Sequence, residues 1–468
     1  MDRGTSLFGG KSGLESNKVS EFIPTVPSIL GLKANGVIGA LDETTKLEGS
    51  RKVDSLVHGS AASYAIFSSK SKRPIYSPRQ AAGEASKPSA GESSDADDQV
   101  AADRIARTLA SFDPNTEAAP RDEDGELVLR RREIHSGRAI SVSTVEWSVA
   151  DKMAKPTSAL EGYMWDKETE VDRFRERVPL QNLVSQCNLY NLDPSKPKPR
   201  DFLGPLKDVA NGNDTFVILP ECKRMEPSSG SLRKRYNVAK ISKELTLAGA
   251  RAISVNCDPV LFGGALEDIT LAREAAQTAA VLETADEGAV APPIIASDLL
   301  LYPYQLYKLR LAGADAVRLM AGALEPKDLL YLTKIAQSLQ MQSFLSVSSE
   351  KQIQSLVSLS PGSLSAVVVS NRILEDFSFD ESGEQALTLL RSDAMKEFVA
   401  KHEDVTIFVE GRVGIIERDG ADGTKCAANY IKELKDAGAF GAFVAGGLAD
   451  NEKSVEDAWQ TLCDATSV

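Results

Sequence analysis

A chain of 468 residues with 42% hydrophobic and 26% charged content has room for two or three average globular domains, or for one large barrel with extensions. Its net charge of −13 argues against general binding to nucleic acid or to anionic membranes, since both reward clustered lysine and arginine. No run approaches the roughly 18 apolar residues of a membrane span. The five cysteines (187, 222, 257, 426 and 463) include no CxxC pair, and the three histidines (58, 135 and 402) stand isolated. A disulfide framework, a metal site and a histidine-based triad are therefore not expected, and the histidines are expected to face solvent.

Residues 1–126 read as a low-complexity, largely disordered extension. The stretches RQAAGEASKPSAGESSDADDQVAADR and DPNTEAAPRDEDGE are small, polar and acidic, with almost nothing to bury. The preceding piece, SLFGGKSGLESNKVSEFIPTVPSILGLKANGVIGAL, has apolar clusters without a sustained period and lacks the apolar core of a secretory signal. Asp2, Glu15 and Glu21 make it a poor transit peptide by charge. A targeting or tethering role is the alternative to a plain extension, and a protein partner, if there is one, is expected to dock here.

From about Phe216 the texture becomes a repeating alternation. The runs FVILP, RAISVNC, PIIAS, DAVRLM, SFLSV, LSAVVVS, VTIFVE and GAFVAG read as eight buried strands. Segments with helical spacing stand between them, such as VAKISKELTLAGA, YQLYKLRLAGA, PKDLLYLTKIAQSLQ and AANYIKELKDAGA, and Gly-Ala pairs close three of these. Eight such units over about 250 residues predict a closed (β/α)8 barrel, the TIM barrel, at about 216–465 within a domain spanning 127–468. A doubly wound open sheet is the rival, but no Gly-rich dinucleotide fingerprint follows the first strand.

Barrel chemistry sits at the C-terminal strand ends and the loops beyond them. That places Glu221 and Lys223 after strand one, Asp258 and Phe262 after two, Ser297 and Asp298 after three, and Ser346 and Ser348 after five. Ser370, Asn371 and Arg372 follow strand six, Glu410 and Arg412 strand seven, and Gly446 and Gly447 strand eight. The last pair offers exposed backbone N–H groups of the kind that hold an anion.

The chain from about Leu127 to Lys453 resembles indole-3-glycerol phosphate synthase, most closely the form of cyanobacteria and plant plastids. LRRREIHSGRAISVSTVEWSV is similar to that form's N-terminal extension, MWDKETEVDRFRERVPLQNL to the helix that caps the barrel mouth, and PRDFLGPL to the segment leading into strand one. GARAISVNCDPVLFGGALEDI, YPYQLYKLRLAGADAVRLMAGAL and SNRILEDFSFD follow the family in order and spacing. The resemblance implies ring closure of 1-(2-carboxyphenylamino)-1-deoxyribulose 5-phosphate with loss of carbon dioxide and water, no metal or organic cofactor, and a phosphorylated small-molecule substrate. It favours a plastid location, with the cytoplasm second.

Carried over position by position, the resemblance implies catalytic roles at Glu221, Lys223 and Glu410, and substrate binding at Phe262, Arg372 and Leu374. Other positions depart from the family. The lysine after strand three is Ser297, the glutamate after strand five is Ser346, and the strand-six asparagine is Ser370. A serine of the phosphate loop is Glu226, the last phosphate-loop serine is Gly447 beside Gly446, and Arg412 stands in the replaced strand-seven loop. Each general acid–base group is typically worth about 10²–10⁴ in rate, so losing two is severe. The sequence therefore predicts a non-catalytic relative that uses the barrel for binding or scaffolding, with Arg412 or Lys223 offsetting the charge of Glu226. The alternatives are an active synthase with Lys223 as the acid, or changed chemistry on another sugar phosphate.

Overall fold

The computed structural model describes residues 95–110, 119–131, 155–213, 215–233, 235–286, 288–413, 427–448 and 454–466, all within one compact unit, Gly83–Val468. Eight strands form the ring: β1 (Val217–Cys222), β2 (Ile253–Asn256), β3 (Ile294–Ser297), β4 (Ala316–Met320), β5 (Gln342–Val347), β6 (Ala366–Ser370), β7 (Thr406–Glu410) and β8 (Gly441–Val444). All neighbours are parallel, and β1 pairs with both β2 and β8, Val217 standing opposite Gly441, so the barrel is closed. The eight expected strands are all present, and so is the expected capping helix.

Among the described residues, four helices precede the ring: α1 (Asp95–Ala110), α2 (Ala159–Arg177), α3 (Leu180–Leu192) and α4 (Gly204–Asn213). The outer layer includes α5 (Val238–Leu247), α6 (Glu267–Thr284), α7 (Pro303–Ala312), α8 (Pro326–Ser338) and α9 (Glu350–Val357). It continues with α10 (Glu384–Arg391), α11 (Asp393–Lys401), α12 (Ala427–Asp436) and α13 (Val455–Ala465). Local chemistry sets the limits of these helices. Asn237, Ser349, Ser392 and Ser454 each accept a hydrogen bond from the amide three residues on, at the starts of α5, α9, α11 and α13. The three Gly-Ala pairs end α5, α7 and α12 with Gly249, Gly313 and Gly438 at φ of +89°, +98° and +96°, where a side chain would be strained.

Alternate residues of each strand face the barrel axis. Phe344, Phe408 and Phe443 pack together there, and Phe202, from the segment before α4, closes the lower end against Phe344 at 5.3 Å between ring centroids. The same segment is anchored by Arg200, whose guanidinium pairs with buried Asp315 at 2.7 Å; Arg273 joins that carboxylate at 2.8 Å.

Two expectations are corrected here. Residues 95–110 lie in the extension expected to be largely disordered, yet they form α1, whose Ile105 is buried in the main core cluster and whose Arg104 donates to the Pro259 carbonyl. Residues 119–131 are also ordered, as a strap: Arg121 pairs with Glu375, Lys351 with Asp122 and Asp124, and Arg130 with Glu161 of α2. His402 does not face solvent; it is buried and stacks on Phe398, and burial lowers its pKa. His58, His135 and Cys426 lie outside the described residues. Cys187, Cys222 and Cys257 are buried thiols outside any disulfide.

Candidate active site

The period of two along each strand builds the site. Two residues beyond the apolar layer of Leu219, Ala252, Ile295, Ala316, Phe344, Val368 and Phe408 come Glu221, Ser254, Ser297, Arg318, Ser346, Ser370 and Glu410, one from each of β1 to β7. This polar layer closes the C-terminal end of the barrel interior. Lys223 follows Glu221 on the same side, and Glu226 sits in a two-residue ladder, Met225–Glu226 against Gly230–Ser231.

The charges in this layer compensate one another. Lys223 Nζ lies 3.2 Å from Glu221 Oε2 and 3.2 Å from Glu226 Oε2. Arg372 grips Glu226 with both terminal nitrogens, Nη1 to Oε1 at 2.7 Å and Nη2 to Oε2 at 3.1 Å. Arg318 reaches Glu410 at 2.7 Å and Glu221 at 3.4 Å. Three cations thus face three carboxylates in a buried cluster. Burial pushes the Glu226 carboxyl up, but Arg372 and Lys223 outweigh it and bring its pKa down to about 2. Glu410 is likewise held below the usual carboxylate range, burial being overcome by Arg318, Arg372 and Lys223. The charge of Glu226 is therefore offset by Lys223, as one of the two expected routes had it, and by Arg372. Arg412 instead pairs with Glu381.

Two of the substituted positions, Ser297 and Ser370, find hydrogen-bond partners inside the barrel. Ser297 Oγ lies 3.2 Å from Ser254 Oγ, and Ser254 donates to Glu221 at 3.4 Å. Ser370 Oγ accepts from the Arg372 amide at 3.3 Å. Ser346 Oγ is buried without a hydrogen-bond partner and lines the central cavity.

A second cluster joins α2 to the rim. Lys167 is 1% exposed, and its Nζ lies 2.6 Å from Asp258, 2.7 Å from Asp298 and 2.7 Å from Glu170. Asp258 also accepts from the amides of Leu261 and Phe262, which fixes the loop that holds Phe262 over the mouth. Burial is the main cause that raises Asp298 to about 7, against the pull of Lys167. One turn earlier on α2, Tyr163 packs edge-on against Phe262 at 6.2 Å and Phe377 at 5.7 Å. The cavity left beneath, lined by Tyr163, Lys223, Phe262, Ser346, Arg372 and Glu410 among others, measures about 30 Å³. That is the volume of about one water, whereas small-molecule sites run from roughly 300 Å³ upward.

The other expected positions stand apart from this cavity. Leu374 packs towards Gly322 and is not among its lining residues. Gly446 and Gly447 form a short 3₁₀ turn, Gly446–Leu448, whose last carbonyl accepts from Arg233. Sequence reasoning passed over Arg318, Lys167 and Tyr163. A charge inside the apolar run DAVRLM was a readable signal for Arg318; the helical pattern of α2 gave none for the other two.

A closed eight-stranded α/β barrel with acid–base groups gathered at its C-terminal rim and a helix laid over the mouth is the architecture of a barrel enzyme. Residues 160–402 match the family model described as indole-3-glycerol phosphate synthase. The chain belongs to the indole-3-glycerol phosphate synthase family, a family of tryptophan biosynthesis. It is 29% identical over 308 residues to the indole-3-glycerol phosphate synthase of Rippkaea orientalis, covering 66% of this chain and 96% of that protein. It is 31% identical to that of Microcystis aeruginosa over 58% of this chain and 82% of the relative. With the Trichodesmium erythraeum protein of the same name it shares 33% over 54% of this chain and 76% of the relative. Among the described residues no helix is long and apolar enough to cross a membrane.

Proposed function

We propose that this member of the synthase family has lost, or retains only weakly, the ring-closing and decarboxylating activity, and that its barrel serves as a binding or scaffolding module. The observation that carries the reading is the charge-compensated mouth. Glu221, Lys223 and Glu410 are retained but engaged with Arg318, with Glu226 and with one another, Arg372 holds Glu226, and about 30 Å³ remains for a substrate. The general acid and one base of the family are the hydroxyls of Ser297 and Ser346, which cannot donate or take a proton at neutral pH as an ammonium or carboxylate does. Two independent losses would multiply to ~10⁴–10⁸ in rate, and coupled ones to less.

The test is turnover of 1-(2-carboxyphenylamino)-1-deoxyribulose 5-phosphate by purified full-length protein. No indole-3-glycerol phosphate above background is expected, and Ser297→Lys alone is expected not to restore it. Product formation at ordinary enzyme rates overturns the proposal.

One observation favours the alternative of an active synthase: a cation does reach the end of β3, as Lys167 from α2 paired with Asp298. In that reading Lys223 is the acid, Glu221 or Glu410 takes the remaining roles, and α2 must lift to admit substrate. It requires that the chain support growth of a tryptophan auxotroph and that Lys223→Ala abolish that growth.

A further inference from the structure

The barrel mouth leaves about 30 Å³, but a cavity of about 300 Å³ lies between α1, α2, the loop after β2, and the outer helices α6 and α7. That volume reaches the range of small-molecule sites. Its walls are apolar, with Val171 and Phe174 from α2, Leu266 just before α6 and Leu309 from α7. Two opposite charge imbalances face this space. Lys308 is half-buried with its Nζ 3.1 Å from the Phe174 ring centroid, and among the described residues it forms no ion pair. Burial lowers its pKa against the pull of Glu170, Glu267 and Asp298, which stand near without closing on it. The reverse holds at Lys167, one ammonium shared by Glu170, Asp258 and Asp298. Asp298 uses Oδ1 for both Lys167 and the Leu299 amide, so its Oδ2 stays available to a donor. Arg104 also lines the cavity, and its helix α1 precedes residues 160–402, the region matched to the family model.

We infer that this cavity binds a free α-amino acid with an apolar side chain, its carboxylate toward Lys308, its ammonium toward Asp298 and Glu170, and its side chain against Val171, Phe174 and Leu309. A zwitterion answers both imbalances at once. Its carboxylate gives Lys308 a charged partner, and its ammonium relieves three carboxylates that share one lysine. An apolar acid would leave the carboxylate surplus in place, and an amine would leave Lys308 without a counter-charge. A second space of about 540 Å³ shares Arg104, Glu170 and Pro259 with the cavity and adds Arg107 and Arg173. Guanidinium groups there favour the approach of a ligand that carries a carboxylate. The inference deepens the proposed function and rests on it, since it names what the binding module takes.

The experiment offers the full chain L-phenylalanine, L-leucine, 3-phenylpropanoate and phenethylamine, with isothermal titration and thermal unfolding as readouts. The last two compounds each lack one charge of the zwitterion. At least one of the two amino acids is expected to bind and to raise the unfolding midpoint by roughly 4 °C at a hundredfold excess over Kd. Each one-charge analogue is expected to bind about tenfold more weakly than L-phenylalanine, or less tightly still. Two variants locate the site. Lys308→Met removes the ammonium without breaking an ion pair and is expected to weaken amino-acid binding by about tenfold or more. Leu266→Trp fills the cavity from its half-buried wall and is expected to abolish binding; if it folds poorly, Lys308→Met decides alone. Failure of both amino acids to bind, an analogue that binds as tightly as L-phenylalanine, or undiminished binding by Lys308→Met overturns the inference. Turnover of the carboxyphenylamino sugar phosphate bears on the proposed function, and amino-acid binding bears on this cavity, so the two fail separately.

Discussion

Replacing Glu226 with glutamine keeps the shape of the side chain and removes its charge, which isolates what the carboxylate contributes to the fold. The gap between the ordinary carboxyl value of 4.5 and about 2 in the folded protein corresponds to about 3 kcal/mol. Breaking a buried ion pair from one side typically costs ~3–5 kcal/mol, which agrees. Because the folded pKa is depressed, this stabilisation is complete above the unfolded value of 4.5 and is lost as pH falls through about 2. Glu226→Gln is therefore expected to be about 3 kcal/mol less stable than the parent at neutral pH. The difference should stay constant down to pH 5, then shrink by about 1.4 kcal/mol for each pH unit below 4.5. Urea unfolding of both proteins across this range measures it. A difference below about 1 kcal/mol at neutral pH, or one that does not change under acid, would refute the reasoning, because either result means that Arg372 and Lys223 do not hold the carboxylate as the distances imply.

Two further outcomes are expected. Lys167→Met leaves Asp258 and Asp298 as buried, uncompensated charges and should cost ~3–5 kcal/mol at pH 8. Asp298 already has a raised folded pKa of about 7, so its ionised form disfavours folding increasingly as pH rises from 3.8 through 7. The deficit of the variant should accordingly be smaller at pH 5, and a pH-independent deficit in urea midpoints would argue against the pairing. Phe344→Ala, at the centre of the barrel's aromatic layer, should cost ~3–5 kcal/mol by the same method, and a loss under about 1 kcal/mol would mean the layer is not packed as described.

Strand and helix content was legible because the physics there is local. β-branched runs fix the strands, and the Gly-Ala pairs fall at the helix ends, where the chain takes a positive φ. The inward residues of the polar layer follow from period two once one strand is placed, so Glu221, Ser297, Ser346, Ser370 and Glu410 were identifiable by position. Their partners were not. Arg318 meets Glu410 from 92 residues away and Arg372 meets Glu226 from 146 residues away, and no spacing in the sequence encodes such pairs. Helix α1 was missed for a related reason: its acidic composition reads as solvated chain, while Ile105 finds its apolar neighbours elsewhere in the fold.

The seam between β1 and β8 joins residues 217–220 to residues 441–444, so the ring stays an open sheet until nearly the whole domain has been synthesised. Until then β1 and β7 each present a bare row of amides and carbonyls, the kind of border that recruits other chains into aggregates. A protein cut back to before Phe440 would keep both borders permanently. Losing residues 440–468 should therefore show up first as insolubility.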